Sequence, residues 1–235
     1  MAVFVVAHGA WSAGWAWKKM RPLLRGAGHE LFTPTYTGLG ERVHLATPSV
    51  DLSTHIEDIL NVLSFEDLHE VVLIGHSYGG MVATGVADRA RDRIAQLVYL
   101  DAFAPMSGES LFDRQPADMR DRLRDAARAN NGWLIPPGAM PADTPQADAA
   151  WAAPRRMPQP LKCFEDKLHL SADLTLPRNY IYCKRSGPGD VFRQFAERAQ
   201  REAGWRSFDI DASHNPHITA PGALLGLLQT IVAGA

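Results

Sequence analysis

The sequence predicts an α/β fold: a mostly parallel, doubly wound sheet of about six strands with an inserted helical cap. Three observations predict it. Short β-branched apolar runs alternate with helix-period segments at both ends of the 235-residue chain, the rhythm of strand–helix–strand units. From Ala104 to Leu176 that rhythm stops and no convincing strand can be drawn. One of the strands runs directly into Gly75-His76-Ser77-Tyr78-Gly79, and a helical pattern follows at once.

The elements follow in order. Val3 to Ala7 is a short apolar run that reads as a buried parallel strand. Trp15 to Ala27 has helical spacing through Trp17, Met20, Leu23 and Leu24, with Gly26 and Gly28 near its end. Glu30 to Thr35 reads as the second strand, and Gly38 to Arg42 as a loop. Leu52 to Leu63 carries Ile56, Ile59, Leu60 and Leu63 on one helical face. Val71 to Ile74 is the strand that meets the Ser77 turn, Met81 to about Arg89 the helix after it, and Ile94 to Leu100 the next strand. In the middle, Asp118 to Asn130 and the stretch around Trp151 read as helices. Asn179 to Cys183 and Arg206 to Ile210 read as the last strands, Gly222 to Val232 as the last helix. No linker composition separates the middle, so residues 1–235 are expected to form one domain with a cap at about 104–176, over the carboxyl edge of the sheet where open α/β sheets bind ligands.

Composition narrows the function. Apolar residues make up 46% and charged ones 21%, which suits a folded domain rather than a disordered chain. The net charge of −2 sets up no field toward nucleic acid or an anionic membrane surface. The two cysteines, Cys163 and Cys183, cannot staple a chain of this size, and the apolar start ends at Ala7, too short for a signal peptide or a spanning helix. A cytoplasmic protein with free thiols is expected. No histidine or cysteine spacing suggests a metal, and no glycine-rich nucleotide fingerprint follows a strand, so no cofactor is expected.

The chemistry concentrates at three places. In Gly75-x-Ser77-x-Gly79 the flanking glycines permit a sharp turn that lifts the Ser77 hydroxyl clear of the sheet and aims the Tyr78 N–H at a developing negative charge. His8-Gly9-Ala10-Trp11 follows the first strand, where the Ala10 N–H can supply a second oxyanion donor and Gly9 a close backbone approach; His8 reads as a structural histidine of that loop. His214 follows the last strand, in the Ser-early, His-last order of serine hydrolases, and is the expected general base. His217, three residues on, is a rival for that role, or a pocket wall. His76 is expected to turn away from substrate. The acid that must orient His214 is open between two aspartates. Asp190 lies seven residues past Cys183, behind Ser186-Gly187-Pro188-Gly189, a poor mount for a precisely held group. Asp101 ends a buried run 24 residues past Ser77 and is favoured, because a carboxylate there is costly unless paired. Trp11, Trp133 and Trp151 are candidate pocket walls.

Taken together, these stretches resemble the α/β-hydrolase superfamily over the full chain. More narrowly, the chain resembles the small esterase group of plant methylesterases, salicylate-binding esterases and hydroxynitrile lyases. The resemblance is carried by His8-Gly9-Ala10-Trp11 with Trp15-Ala16-Trp17, by Gly75 to Met81, by Leu100-Asp101-Ala102-Phe103-Ala104-Pro105, and by His214 before the last helix. It implies a cofactor-free serine hydrolase acting on a small, mostly apolar ester or lactone through an acyl-enzyme. It also implies a helical cap, and leaves a homodimer open; in that group the acid usually occupies the Asp190 position. The chain departs from the lyases at Gly9, where they carry threonine, and at Asn215, where they carry lysine. Two alternatives on the same fold are a small-molecule receptor with slow turnover and a cofactor-free lyase or oxygenase.

Overall fold

The computed structural model describes residues 1–187 and 189–234; Pro188, in the loop ahead of Asp190, and Ala235 lie outside the described residues. The strands and helices in chain order are β1 Val3–Ala7, α1 Met20–Gly26, β2 Glu30–Phe32, α2 Leu52–Phe65, β3 Val71–His76, α3 Gly79–Arg89 and β4 Ile94–Leu100. Then come α4 Ala117–Ala129, β5 Leu134–Ile135, α5 Gln146–Ala152, β6 Gln159–Pro160, α6 Lys162–Glu165 and β7 Arg178–Cys183. The chain closes with α7 Arg193–Arg201, β8 Trp205–Ile210, α8 Pro216–Thr219 and α9 Pro221–Ala233.

The main sheet has six strands in the order β2-β1-β3-β4-β7-β8, all parallel. The inner strands β1, β3 and β4 are mostly apolar because both faces are covered, yet the period of two still sorts them. Val5, Leu73, Leu97 and Tyr99 face one layer, with α2, α3 and α7. Phe4, Val6, Ile74, Val98 and Leu100 face the other, with Trp17, Met20 and Leu24 near the start of the chain and Leu224, Leu228 and Ile231 of α9. Asp51 and Thr54 form a capping box that starts α2.

Topology sets the site. From β1 the chain moves outward to β2, and from β3 it moves outward the other way, so the connections after two adjacent strands part there. The pairing of Ala7 with Gly75 lays the His8–Trp11 loop beside the Ser77 turn.

Several sequence expectations need correction. The helix expected from Trp15 is a 3₁₀ turn at Gly14–Trp17 followed by α1; one continuous helix would put the Pro22 ring against a carbonyl four residues back. β2 stops at Phe32 rather than Thr35, just ahead of Pro34. The middle segment is not strandless: β5 and β6 form a two-residue antiparallel ribbon, and Glu109 bridges Leu168. Helix α7, absent from the sequence reading, joins β7 to β8 and buries Phe195, Ala196 and Ala199.

Candidate active site

Ser77 sits between β3 and α3 with φ of 56°, a left-handed conformation that costs a non-glycine residue roughly 1–3 kcal/mol. Backbone bonds from both sides hold it there. Its N–H donates to the Leu100 carbonyl at 3.3 Å, and its own carbonyl accepts from Gly80 and Phe103, both at 3.1 Å. The neighbours must be glycine for lack of space. A Cβ on Gly79 would stand 1.9 Å from the Ala7 carbonyl oxygen, and one on Gly80 1.9 Å from that of Phe103.

Asp101, at the end of β4, is also left-handed, with φ of 43°, and only 1% exposed. Its N–H donates to the Ile181 carbonyl at 2.8 Å, and its Oδ1 accepts from the Cys183 N–H at 3.1 Å. Its Oδ2 lies 2.7 Å from His214 Nδ1, and His214 Nε2 lies 2.9 Å from Ser77 Oγ. Such a row fixes the tautomer: Nδ1–H donates to Asp101, which leaves Nε2 to accept the Ser77 proton. Phe192 stacks on the His214 ring at 4.7 Å. The Tyr180 hydroxyl donates to the Ala102 carbonyl at 2.9 Å, bracing the residue after Asp101.

Asp190 is elsewhere engaged. It accepts from the Tyr182 hydroxyl at 2.6 Å and from the Phe192 N–H at 2.9 Å. It makes no bond to His214 among the described residues, so of the two aspartates left open by sequence, only Asp101 meets the histidine.

Beside the Ser77 turn, the Ala10 and Tyr78 N–H groups donate to no other described residue. The Tyr78 ring points away, into the core. Its hydroxyl lies 2.9 Å from His55 Nδ1, while His55 Nε2 lies 3.1 Å from the Thr37 carbonyl. The carbonyl can only accept, so Nε2 carries the proton and Nδ1 accepts from Tyr78. Burial lowers His55 to about 4 and raises the neighbouring Cys163 thiol to about 12, leaving both uncharged at neutral pH. His8 behaves as the sequence suggests: Nε2 accepts from the Tyr36 N–H at 3.2 Å, and Nδ1 therefore donates to the Gly9 carbonyl at 2.9 Å. Burial lowers it to about 3.

His76 does not turn away. Its Nε2–H donates to the His214 carbonyl at 2.8 Å, and its ring borders the cavity. Desolvation holds it well below the usual histidine value, and so neutral. His217 lies behind it, stacked on Trp17 at 4.7 Å and lowered to about 3 by burial.

Above Ser77 and His214 lies a cavity of about 720 Å³. Gly9, Ala10, Trp11 and His217 line it. Trp133 and Trp151 do not, which corrects the sequence reading. Trp151 packs edge-on behind Trp15 at 5.2 Å, and it is Trp15 that reaches the cavity. Trp133 is half-buried and uses its backbone carbonyl to accept from the Leu161 N–H. The cap side is mostly apolar, with Met119, Leu123, Pro136 and Met140, and adds one cation, Arg156. Trp11 ties the oxyanion-side loop to the cap through its indole N–H, which donates to the Ile135 carbonyl at 2.8 Å. Among the described residues no three His, Cys, Asp or Glu side chains cluster as metal ligands, and no helix is long and apolar enough to cross a membrane.

A family model described as the alpha/beta hydrolase family matches residues 3–226. The chain belongs to this family. The hydrolase is 38% identical to "Carbendazim hydrolyzing esterase" of Nocardioides sp., over 98% of this chain and 100% of that one. It is 32% identical to "Salicylic acid-binding protein 2" of Nicotiana tabacum, over 44% of this chain and 40% of that one. Its backbone superimposes with a TM-score of 0.84 on an extracellular alpha/beta-hydrolase from a Paenibacillus species, at 25% identity and 98% coverage of each chain; that enzyme is described as sharing structural and functional homology with tobacco Salicylic Acid Binding Protein 2. This chain is an enzyme of the ester-hydrolase class.

Proposed function

We propose that this hydrolase cleaves a small, mostly apolar carboxylic ester or lactone at Ser77 through an acyl-enzyme. The observation that carries the reading is the row Asp101–His214–Ser77, at 2.7 and 2.9 Å, opening into the cavity. Ser77 Oγ attacks the carbonyl carbon while His214 Nε2 takes its proton. Asp101 stabilises the resulting imidazolium without taking the proton itself. The carbonyl oxygen becomes an oxyanion between the Ala10 and Tyr78 N–H groups, and the positive end of α3 favours the same charge. His214 then protonates the departing alcohol. In the second half it activates a water that attacks the acyl carbon and restores Ser77.

We take the segment at about 104–176 as a cap inserted in a single domain, whose apolar wall selects the substrate. The two cysteines are free and buried, which supports a cytoplasmic location. Cyanohydrin cleavage has less support. Threonine cannot replace Gly9 without displacing the His76 ring, since a Cβ there would stand 2.8 Å from Nδ1, and Asn215 brings no cation to a cyanide leaving group.

The test is a panel of short-chain and aromatic methyl and nitrophenyl esters and lactones. Ser77→Ala is expected to lose about 10³–10⁶-fold in turnover. Near-normal activity in that variant overturns the reading, and a stoichiometric burst with no turnover in the wild type favours a slow receptor instead.

A further inference from the structure

The cavity wall holds a cation that no described carboxylate pairs with. Arg156 lies in the cap between α5 and β6, half-buried, and lines the cavity. It donates to the Gly138 carbonyl and forms no ion pair with any described residue. Arg185, the other cation of the cavity wall, is different. Asp211 grips it with two bonds of 2.9 Å, and Asp143, the acid of the cavity wall, lies 3.9 Å from it. Asp143 thus has Arg185 as its ion-pair neighbour and forms no ion pair with Arg156. His76 and His217, kept neutral by burial, add no further positive charge to the wall.

One carbonyl satisfies one of the five N–H donors of a guanidinium. Gly138 is the only hydrogen-bond partner of the Arg156 side chain among the described residues, and the cap residues that line the cavity with it, Met119, Leu123, Pro136 and Met140, are apolar. A partly desolvated cation with unspent donors favours an anion, and the planar fork of arginine matches a carboxylate best.

We propose that Arg156 forms a carboxylate subsite on the cap side of the cavity, so that the preferred substrate is the monoester of a dicarboxylic acid, its free carboxylate on Arg156 while the ester lies at Ser77. This rests on hydrolysis at Ser77 and adds to it the chemical class of the substrate. The competing account is structural: Arg156 does no more than pin the loop at 136–143 through Gly138.

Monomethyl adipate and methyl hexanoate separate the two, because they match in length and differ in the terminal carboxylate. Wild type is expected to favour the charged ester in kcat/KM. In Arg156→Gln, which keeps a donor for Gly138, the ratio of charged to neutral ester should fall by about tenfold or more, mainly through KM. Arg156→Lys should recover part of it. An unchanged ratio overturns the proposal and leaves Arg156 a structural residue. A second readout does not depend on catalysis. Millimolar monomethyl adipate should raise the melting temperature of the non-cleaving Ser77→Ala more than methyl hexanoate does, and should lose that advantage when Arg156→Gln is added. If no ester is cleaved, hydrolysis at Ser77 fails, yet the melting shift still decides the subsite; equal shifts by the two esters in Ser77→Ala overturn it.

Discussion

Asp101 and Asp190 show what a carboxylate needs in order to orient a histidine. Asp101 is fixed by a strand end, a left-handed backbone and the Cys183 N–H, and its second oxygen faces His214. Asp190 spends its oxygens on Tyr182 and Phe192, which makes it an anchor for its own loop. Asp101→Asn should keep the fold but present the wrong partner to Nδ1–H, costing about 10⁴-fold in kcat by analogy with other serine hydrolases. Asp190→Asn should cost less than about tenfold, because Asp190 bonds neither His214 nor Ser77 and reaches the site only through the Phe192 backbone. The check is ester turnover of both variants with folding followed by circular dichroism; a larger loss in Asp190→Asn reverses the assignment. Ser77, His214 and the loop at Gly9 were legible in the sequence because each stands at a fixed offset from a strand end. The choice of acid was only half legible, since burial cost argues for Asp101 but a hydrogen bond across 113 residues leaves no local trace. His76 was misread because the sequence places it beside Ser77 without saying that the loop of His214 passes within reach of its ring.

At the scale of elements, the cap is where the sequence was least informative. Its tryptophans were chosen by residue type, yet Trp133 and Trp151 miss the cavity, while Trp15, from the connection after β1, lines it. Helix α7 escaped notice because its buried face has only Phe195 and two alanines among many charges. The ribbon of β5 and β6 has two residues a side, too few to show a period. The corrected placement has a consequence. Trp15→Ala should alter relative rates across an ester panel, and Trp133→Ala should leave the profile nearly unchanged. Trp151→Ala, which removes the support behind Trp15, should fall between them. Rates on four or five esters normalised to one suffice, and a profile shifted by Trp133→Ala but not Trp15→Ala contradicts this account of the cavity.

Over the whole molecule, the parallel sheet and its strand ends were legible because each buried strand is a short apolar run closed by a turn residue. What composition hides is how many histidines the fold keeps dry. His8, His55 and His217 are lowered to about 3, 4 and 3, and His76 lies well below its usual value, all chiefly through burial. In the unfolded chain each titrates near 6.5. Below that pH the unfolded state binds protons that the folded state refuses, so this contribution to stability is complete above about 6.5 and is lost as pH falls toward 4. Each group steepens the loss by up to about 1.4 kcal/mol per pH unit. The urea midpoint should therefore drop sharply between pH 6.5 and 4.5, and a midpoint that stays level over that range contradicts the burial of neutral histidines.

The central claim is that the row from Asp101 through His214 activates one serine. A fluorophosphonate that phosphonylates activated serines with loss of fluoride, followed by intact-mass measurement and peptide mapping, tests it most directly. The account predicts one adduct per chain, on Ser77, absent in Ser77→Ala and much slower to form in His214→Ala. An adduct on another residue, or ester turnover by a wild-type protein whose Ser77 stays unlabelled, would contradict it.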